Sequence, residues 1–328
     1  MKNRLSIRRF SFLLLSLFLC ADTMAQEQTG LSPGFSKATG KDSMATRNEL
    51  SIKSGKISLA VDPNIGGRIT SFKLGNYEFL VQRGLPFQAY GSTFWPSPQS
   101  NWNWPPPRVL DSAPYSVENG NGTIRLNSGK DSVTGFQFEK KFSAAKPSDS
   151  TEGNGGINLQ YSMVNISNET RQASPWEITR VHKGGLLFFP IGEGQVTSKL
   201  FKPAPTEILD GIVWYQSNKG QMKENWLSKA DGSEGWAAYA IGGELFIKKF
   251  LDVKPEDQAP GEAEVLFYTD ANADVVEFEI QGKFETMKPG DKTSWNVEWI
   301  AAGIPLNIKV EKGSKELVEF VRKTISGK

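Results

Sequence analysis

Residues 276–303 read "VEFEIQGKFETMKPGDKTSWNVEWIAAG". Val276, Phe278 and Ile280 alternate with Glu277 and Glu279, and Trp295, Val297 and Trp299 alternate with Asn296 and Glu298. A period of two is the signature of a strand with one buried face. The same alternation recurs in "KISLAV" (56–61), "GFQFEKKF" (135–142) and "INLQYSM" (157–163). The "GG" inside "AIGGELFIKKF" (240–250) predicts a tight hairpin. Segments rich in Ser, Gly, Pro and Asp at 145–156 and 254–263 read as loops at hairpin ends. Only "SKELVEFVRKTIS" (314–326) has a helical stripe, made by Leu317, Phe320, Val321 and Ile325. No repeat of 20–50 residues suggests a propeller or solenoid. The expected fold is all-β: one large antiparallel two-layer sandwich over residues 48–328, ending in a short helix.

The N-terminal segment has a different character. Lys2, Arg4, Arg8 and Arg9 precede the apolar run "FSFLLLSLFLC", and "ADTMAQ" follows it. This basic, apolar, small-residue order predicts a signal peptide over residues 1–25 and export to the periplasm or beyond. The run is short for a membrane span, so none is expected to remain after cleavage. Lipid anchoring at Cys20 is disfavoured by the bulky Leu17, Phe18 and Leu19 before it. Residues 26–47, rich in Ser, Thr, Gly and Lys, read as a flexible tether. The leader carries four bases and one acid, so its loss takes the formal charge from +2 to −1. That balance argues against nucleic acid as a partner. The single cysteine leaves with the leader, and disulfides and thiol chemistry leave with it.

Other reaction classes are also set aside. His182 is the one histidine, too few for a histidine zinc site. No GxSxG elbow, Walker loop or glycine fingerprint is present, and neither metal nor cofactor is expected. "DANAD" (270–274) opens like a calcium loop, but Val275 replaces its glycine and Gln281 its glutamate. A hairpin turn is the better reading.

Three clusters remain. "GSTFWPSPQSNWNWPPP" (91–107) holds Trp95, Trp102 and Trp104 among five prolines, with Gln99, Asn101 and Asn103. Its prolines predict a rigid loop rather than a helix or central strand. Indole faces beside amides suit sugar rings, which have apolar faces and hydroxyl edges. The alternative is an indole plug at one end of the sandwich. In "SPWEITRVHKGGLLFFP" (174–190), Trp176, Ile178, Arg180 and His182 share one strand face while Glu177, Thr179 and Val181 share the other. Both faces are polar, so alternation leaves the buried one undecided. Glu277 and Glu279 stand together opposite the core face of their strand, either in solvent or on the floor of a sheet.

These segments resemble a known superfamily. "IGGRITSFKLGNYEFL" (65–80) is similar to the opening of galactose mutarotase-like proteins, and residues 276–303 resemble their closing hairpin, with a Pro-Gly turn before a Trp-rich last strand. "GSTFWPSPQ" and "PWEITRVHKGGLLFFP" look like a bacterial family of unassigned activity within that superfamily. The resemblance implies a β supersandwich with a sugar cleft on one sheet and a mono- or oligosaccharide partner. In aldose epimerases of this kind a late glutamate is the base on the anomeric hydroxyl and a mid-chain histidine protonates the ring oxygen. Glu277 or Glu279 fits the first role, and His182 is the one residue available for the second. His182, however, stands in "RVHKGG" rather than in an Asn-His-x-x-Phe-Asn context. The candidate catalytic set is Glu177, Arg180, His182, Glu277 and Glu279. The candidate sugar contacts are Arg68, Trp95, Gln99, Trp102, Trp104 and Trp176. A noncatalytic glycan-binding or structural role is the alternative to enzyme chemistry.

Overall fold

The alternating runs pair into two ten-stranded antiparallel sheets. The computed structural model describes residues 49–84, 89–120, 122–145, 155–193, 201–220 and 223–327. The expected leader and tether, and most of the loop at 145–156, lie outside these residues. Among the described residues no helix is long and apolar enough to cross a membrane.

The first sheet runs in the order Leu50–Ser54, Ile57–Asp62, Arg68–Leu74, Ser92–Ser97, Arg171–Val181, Val276–Gln281, Val265–Thr269, Trp226–Ala230. Two short strands, Tyr77–Glu78 and Glu285–Met287, pair beside this path. The second sheet runs Glu207–Leu209, Ile212–Gln216, Leu186–Pro190, Trp236–Ile241, Glu244–Phe250, Lys292–Gly303, Ile157–Asn165, Phe136–Ala144, Thr123–Asn127, Ser116–Gly120. Phe72, Phe94, Phe138, Tyr161, Phe246, Phe278 and Trp299 meet between the sheets and form the main core. The "GG" pair turns the expected hairpin between Trp236–Ile241 and Glu244–Phe250. Gly242 and Gly243 both adopt positive φ there, as a two-residue turn of this hand requires. "DANAD" also connects two paired strands, and Asp270 closes the turn by accepting from the backbone of Asn272 and Ala273.

The C-terminal helix spans Lys315–Ser326 and packs Leu317, Val318 and Val321 onto the outer face of the second sheet. There it covers Leu186, Phe188, Trp214 and Trp236. Ser314 caps its start by accepting from the Leu317 amide. Of the four sheet faces, two therefore meet in the core and one lies partly under a helix. The outer face of the first sheet is the fourth.

One expectation needs correction. The tryptophan segment is not loop throughout: Ser92–Ser97 is a strand near the middle of the first sheet. Pro96 sits opposite Pro175, so the two residues that cannot donate face each other in a position that needs no donor. On the far side of Pro96 the neighbouring strand pairs only at Ile69 with Ser92. On the far side of Pro175 the partner changes from Val276–Gln281 to Glu285–Met287. Both missing amides fall at gaps in the ladder.

Candidate active site on the outer face of the first sheet

Three adjacent strands supply the face. On Arg171–Val181 the alternation sends Glu177, Thr179 and Val181 inward and Trp176, Ile178 and Arg180 outward. Trp95 stands opposite Trp176 on one neighbour, and Glu277 and Glu279 stand opposite Arg180 and Ile178 on the other.

Trp95 is the centre of the aromatic group. Its ring makes edge contacts with Trp176 at 5.5 Å, Trp102 at 5.9 Å and Trp104 at 5.9 Å. Its indole donates to Asp111 Oδ1 at 2.8 Å, while the Trp102 indole donates to the Pro96 carbonyl at 2.7 Å. Trp95 and Trp102 are buried, whereas Trp104 is 47% exposed at the rim. Gln99 lies past the strand, in a single helical turn over Gln99–Asn101.

Two cations are threaded into the same face. The Arg180 guanidinium lies 5.5 Å over the Trp95 ring. It donates through Nε to Glu277 Oε1 at 2.9 Å and through Nη1 to Thr93 at 2.8 Å. Arg68 pairs with Asp111 at 3.4 Å and stacks on Tyr90 at 4.6 Å. Burial, then the nearby Arg180 charge, pull its pKa down, and Asp111 opposes them. Gly66 makes this corner possible. At its positive φ, any Cβ would lie 1.8 Å from the Asp111 carbonyl, so only glycine lets the Asp111 segment approach.

The two glutamates are treated differently. Glu279 is 3% exposed and accepts the Trp176 indole N–H at 2.7 Å. Burial, reinforced by the Glu277 charge, pushes its carboxyl up to about 8, and the Trp176 bond and Arg180 oppose this only in part. Glu277 is partly exposed in its ion pair with Arg180. Tyr268, opposite Glu277, has its hydroxyl pKa raised by burial and by Asp270 and Glu277.

Two candidates lie elsewhere. Glu177 is fully buried between the sheets, bound by Lys248 at 2.8 Å, by the Tyr161 hydroxyl at 2.7 Å and by the Trp299 indole at 3.1 Å. Strand alternation takes it away from the outer face, into a position where a buried charge must be paired. His182 follows the last residue of its strand and is 44% exposed. Its Nδ1 lies 3.0 Å from Asp274 Oδ2. Sequence reasoning missed Asp111, Tyr90, Thr93 and Tyr268. Asp111 ends a four-residue helix and carries no periodic signal. Thr93 and Tyr268 follow from parity once the pairing of strands is known.

A family described as "Domain of unknown function (DUF4380)" matches residues 92–302, which takes in the three adjacent strands that supply this face but not Arg68–Leu74 or the strands before it. The chain belongs to the DUF4380 family. No curated protein matches the sequence. Among solved structures, a galactose mutarotase-like protein from Lactobacillus casei aligns at 11% identity and a TM-score of 0.52, over 77% of this chain and 99% of its own. A galactose mutarotase related enzyme from Lactobacillus acidophilus aligns at 12% and 0.53, over 80% and 99%. A TPR-domain containing protein from Parabacteroides distasonis aligns at 14% and 0.53, over 78% of this chain and 48% of its own. This DUF4380 chain thus has the galactose mutarotase-like fold.

Proposed function

We propose that the protein is exported and binds a sugar ring on the outer face of the first sheet, where Glu279 and Glu277 share the proton transfers of an aldose epimerase. The observation that carries this reading is the pair of carboxyl groups on one strand, one buried and pushed up to about 8, the other ion-paired with Arg180, beside indoles in edge contact. Environments that push two carboxyl groups apart assign one as acid and the other as base. The Glu277 carboxylate would take the proton from O1 as its electron pair forms the carbonyl. The C1–O5 bond breaks, and the Glu279 carboxyl delivers its proton to O5. Reclosure on the other face of the carbonyl reverses both transfers. The fold of the mutarotase-like neighbours supports the sugar, and the leader pattern supports export.

Polarimetry on freshly dissolved α-glucose and α-galactose, with thermal melts in the same sugars, tests the proposal. Acceleration over buffer is expected, with a loss of about 10²-fold or more in Glu279→Gln or Glu277→Gln. Neither acceleration nor a shift in melting temperature with any sugar would sink it. A second reading, binding without catalysis, draws support from His182, which pairs with Asp274. Melting shifts without acceleration would select that reading.

A further inference from the structure

Trp95 touches both arms of the proposed chemistry. The Arg180 guanidinium, which binds Glu277, lies over its ring. Its edge meets Trp176, whose indole N–H goes to Glu279. The torsion that turns an indole on its stem is broad and roughly two-fold, so packing alone fixes the ring loosely. A hydrogen bond selects one setting. An indole has a single N–H, and Trp95 gives it to Asp111 Oδ1 at 2.8 Å. Bonds to an ionised acceptor are about twice as strong as neutral ones.

Asp111 is itself held from several sides. Its amide and that of Leu110 donate to the Pro107 carbonyl, at 3.0 and 2.9 Å. The Tyr115 hydroxyl donates to the Leu110 carbonyl at 2.6 Å, and the Gly66 amide to the Ala113 carbonyl at 2.9 Å. From the opposite sheet, Lys140 Nζ donates to the Gly66 and Gly67 carbonyls at 2.7 and 3.2 Å.

We infer that Asp111 is a positioning residue: it holds the Trp95 indole in one orientation, and Trp95 in turn sets Trp176 against Glu279 and Arg180 against Glu277. The inference rests on the epimerase reading of this face. Asp111 also pairs with Arg68, and two substitutions separate these duties. Asp111→Asn keeps an oxygen for the indole and gives up the charge opposite Arg68. Asp111→Leu gives up both.

Melting temperatures, mutarotation kinetics and spectra of protein carrying ¹⁵N-tryptophan provide the test. Both variants should melt below the wild type, because each strips charge from beside a buried guanidinium. The Trp176 N–H signal, assigned with Trp176→Phe, should move in Asp111→Leu and hold its place in Asp111→Asn. Misplacing reacting groups by about 1 Å costs up to about 10²-fold, so kcat should fall about 10- to 10²-fold in Asp111→Leu. In Asp111→Asn it should stay within about threefold of wild type, and KM within about threefold in both. Should Asp111→Leu misfold, Asp111→Ser, polar but too short to hold the indole bond, makes the same comparison. A Trp176 signal that stays put without the acceptor, or an equal loss of kcat in both variants, would overturn the role and leave Asp111 as the counter-charge of Arg68. A wild type inactive on every sugar would remove the epimerase reading instead. A Trp176 signal that still moved in Asp111→Leu alone would then uphold the orienting contact by itself.

Discussion

Glu279 has a carboxyl that burial and the Glu277 charge push up to about 8 from an ordinary 4.5. The folded protein therefore keeps a proton that the unfolded chain releases. Its stabilising contribution is complete below about pH 4.5 and is lost as pH rises through about 8. Glutamine at this position has no charge to bury and can still accept from Trp176. Glu279→Gln should thus gain on the wild type by roughly 1.4 kcal/mol per pH unit inside that window. Urea titrations at intervals from about pH 5 to about pH 8 measure the difference. Glu264, also pushed up to about 8 by burial, contributes to both proteins and cancels. A difference that does not change with pH would mean that Glu279 ionises freely.

At the scale of the element, the strand Ser92–Ser97 and the turn after it divide the tryptophans between two roles. Trp95 is buried under Arg180 and against three other indoles, so Trp95→Ala should cost about 3–5 kcal/mol of folding free energy. Trp104 touches Trp95 by an edge and is about half in water, so Trp104→Ala should cost about 1–1.5 kcal/mol, well below the Trp95 value. If the face binds sugar, the same substitution should weaken binding far more than it weakens the fold. Thermal melts beside sugar titrations separate the two effects. A Trp104→Ala protein equal to wild type in both would remove this indole from the site.

At the scale of the molecule, each sheet must cover two faces. The second sheet relies on the C-terminal helix to shield Leu186, Phe188, Trp214 and Trp236. A chain ending at residue 313 would expose those side chains, each worth about 1.5–3 kcal/mol when buried. The truncated protein should unfold at markedly lower denaturant and bind a hydrophobic dye in its folded state. An unchanged midpoint would show that the helix is dispensable to the sandwich. Between the sheets, Lys248 binds Glu177 and Thr179 on one strand and the Phe278 carbonyl on the next. It thereby ties the second sheet to the two strands that carry the Arg180 and Glu279 side chains.

The strands themselves were legible without the structure, because a half-buried strand repeats every two residues and the chain writes that period openly in "SWNVEW" and "VEFEI". The helix at Lys315–Ser326, the "GG" hairpin and the pairing of Glu277 with Glu279 on one face followed from the same local rules. What local rules could not supply was the partner of each face. Glu177 and Arg180 lie three residues apart and are equally polar, and only the opposing sheet, with Lys248, Tyr161 and Trp299, draws Glu177 inward. Pro96 reads as a strand breaker until Pro175 stands opposite it. Asp111 becomes part of the site only because Gly66 lets a distant turn close against it. Periodicity is a property of neighbours in the chain and is determined by sequence alone. The choice of buried face, and the distances that make side chains a site, depend on residues far apart in the chain and were decided by the tertiary structure.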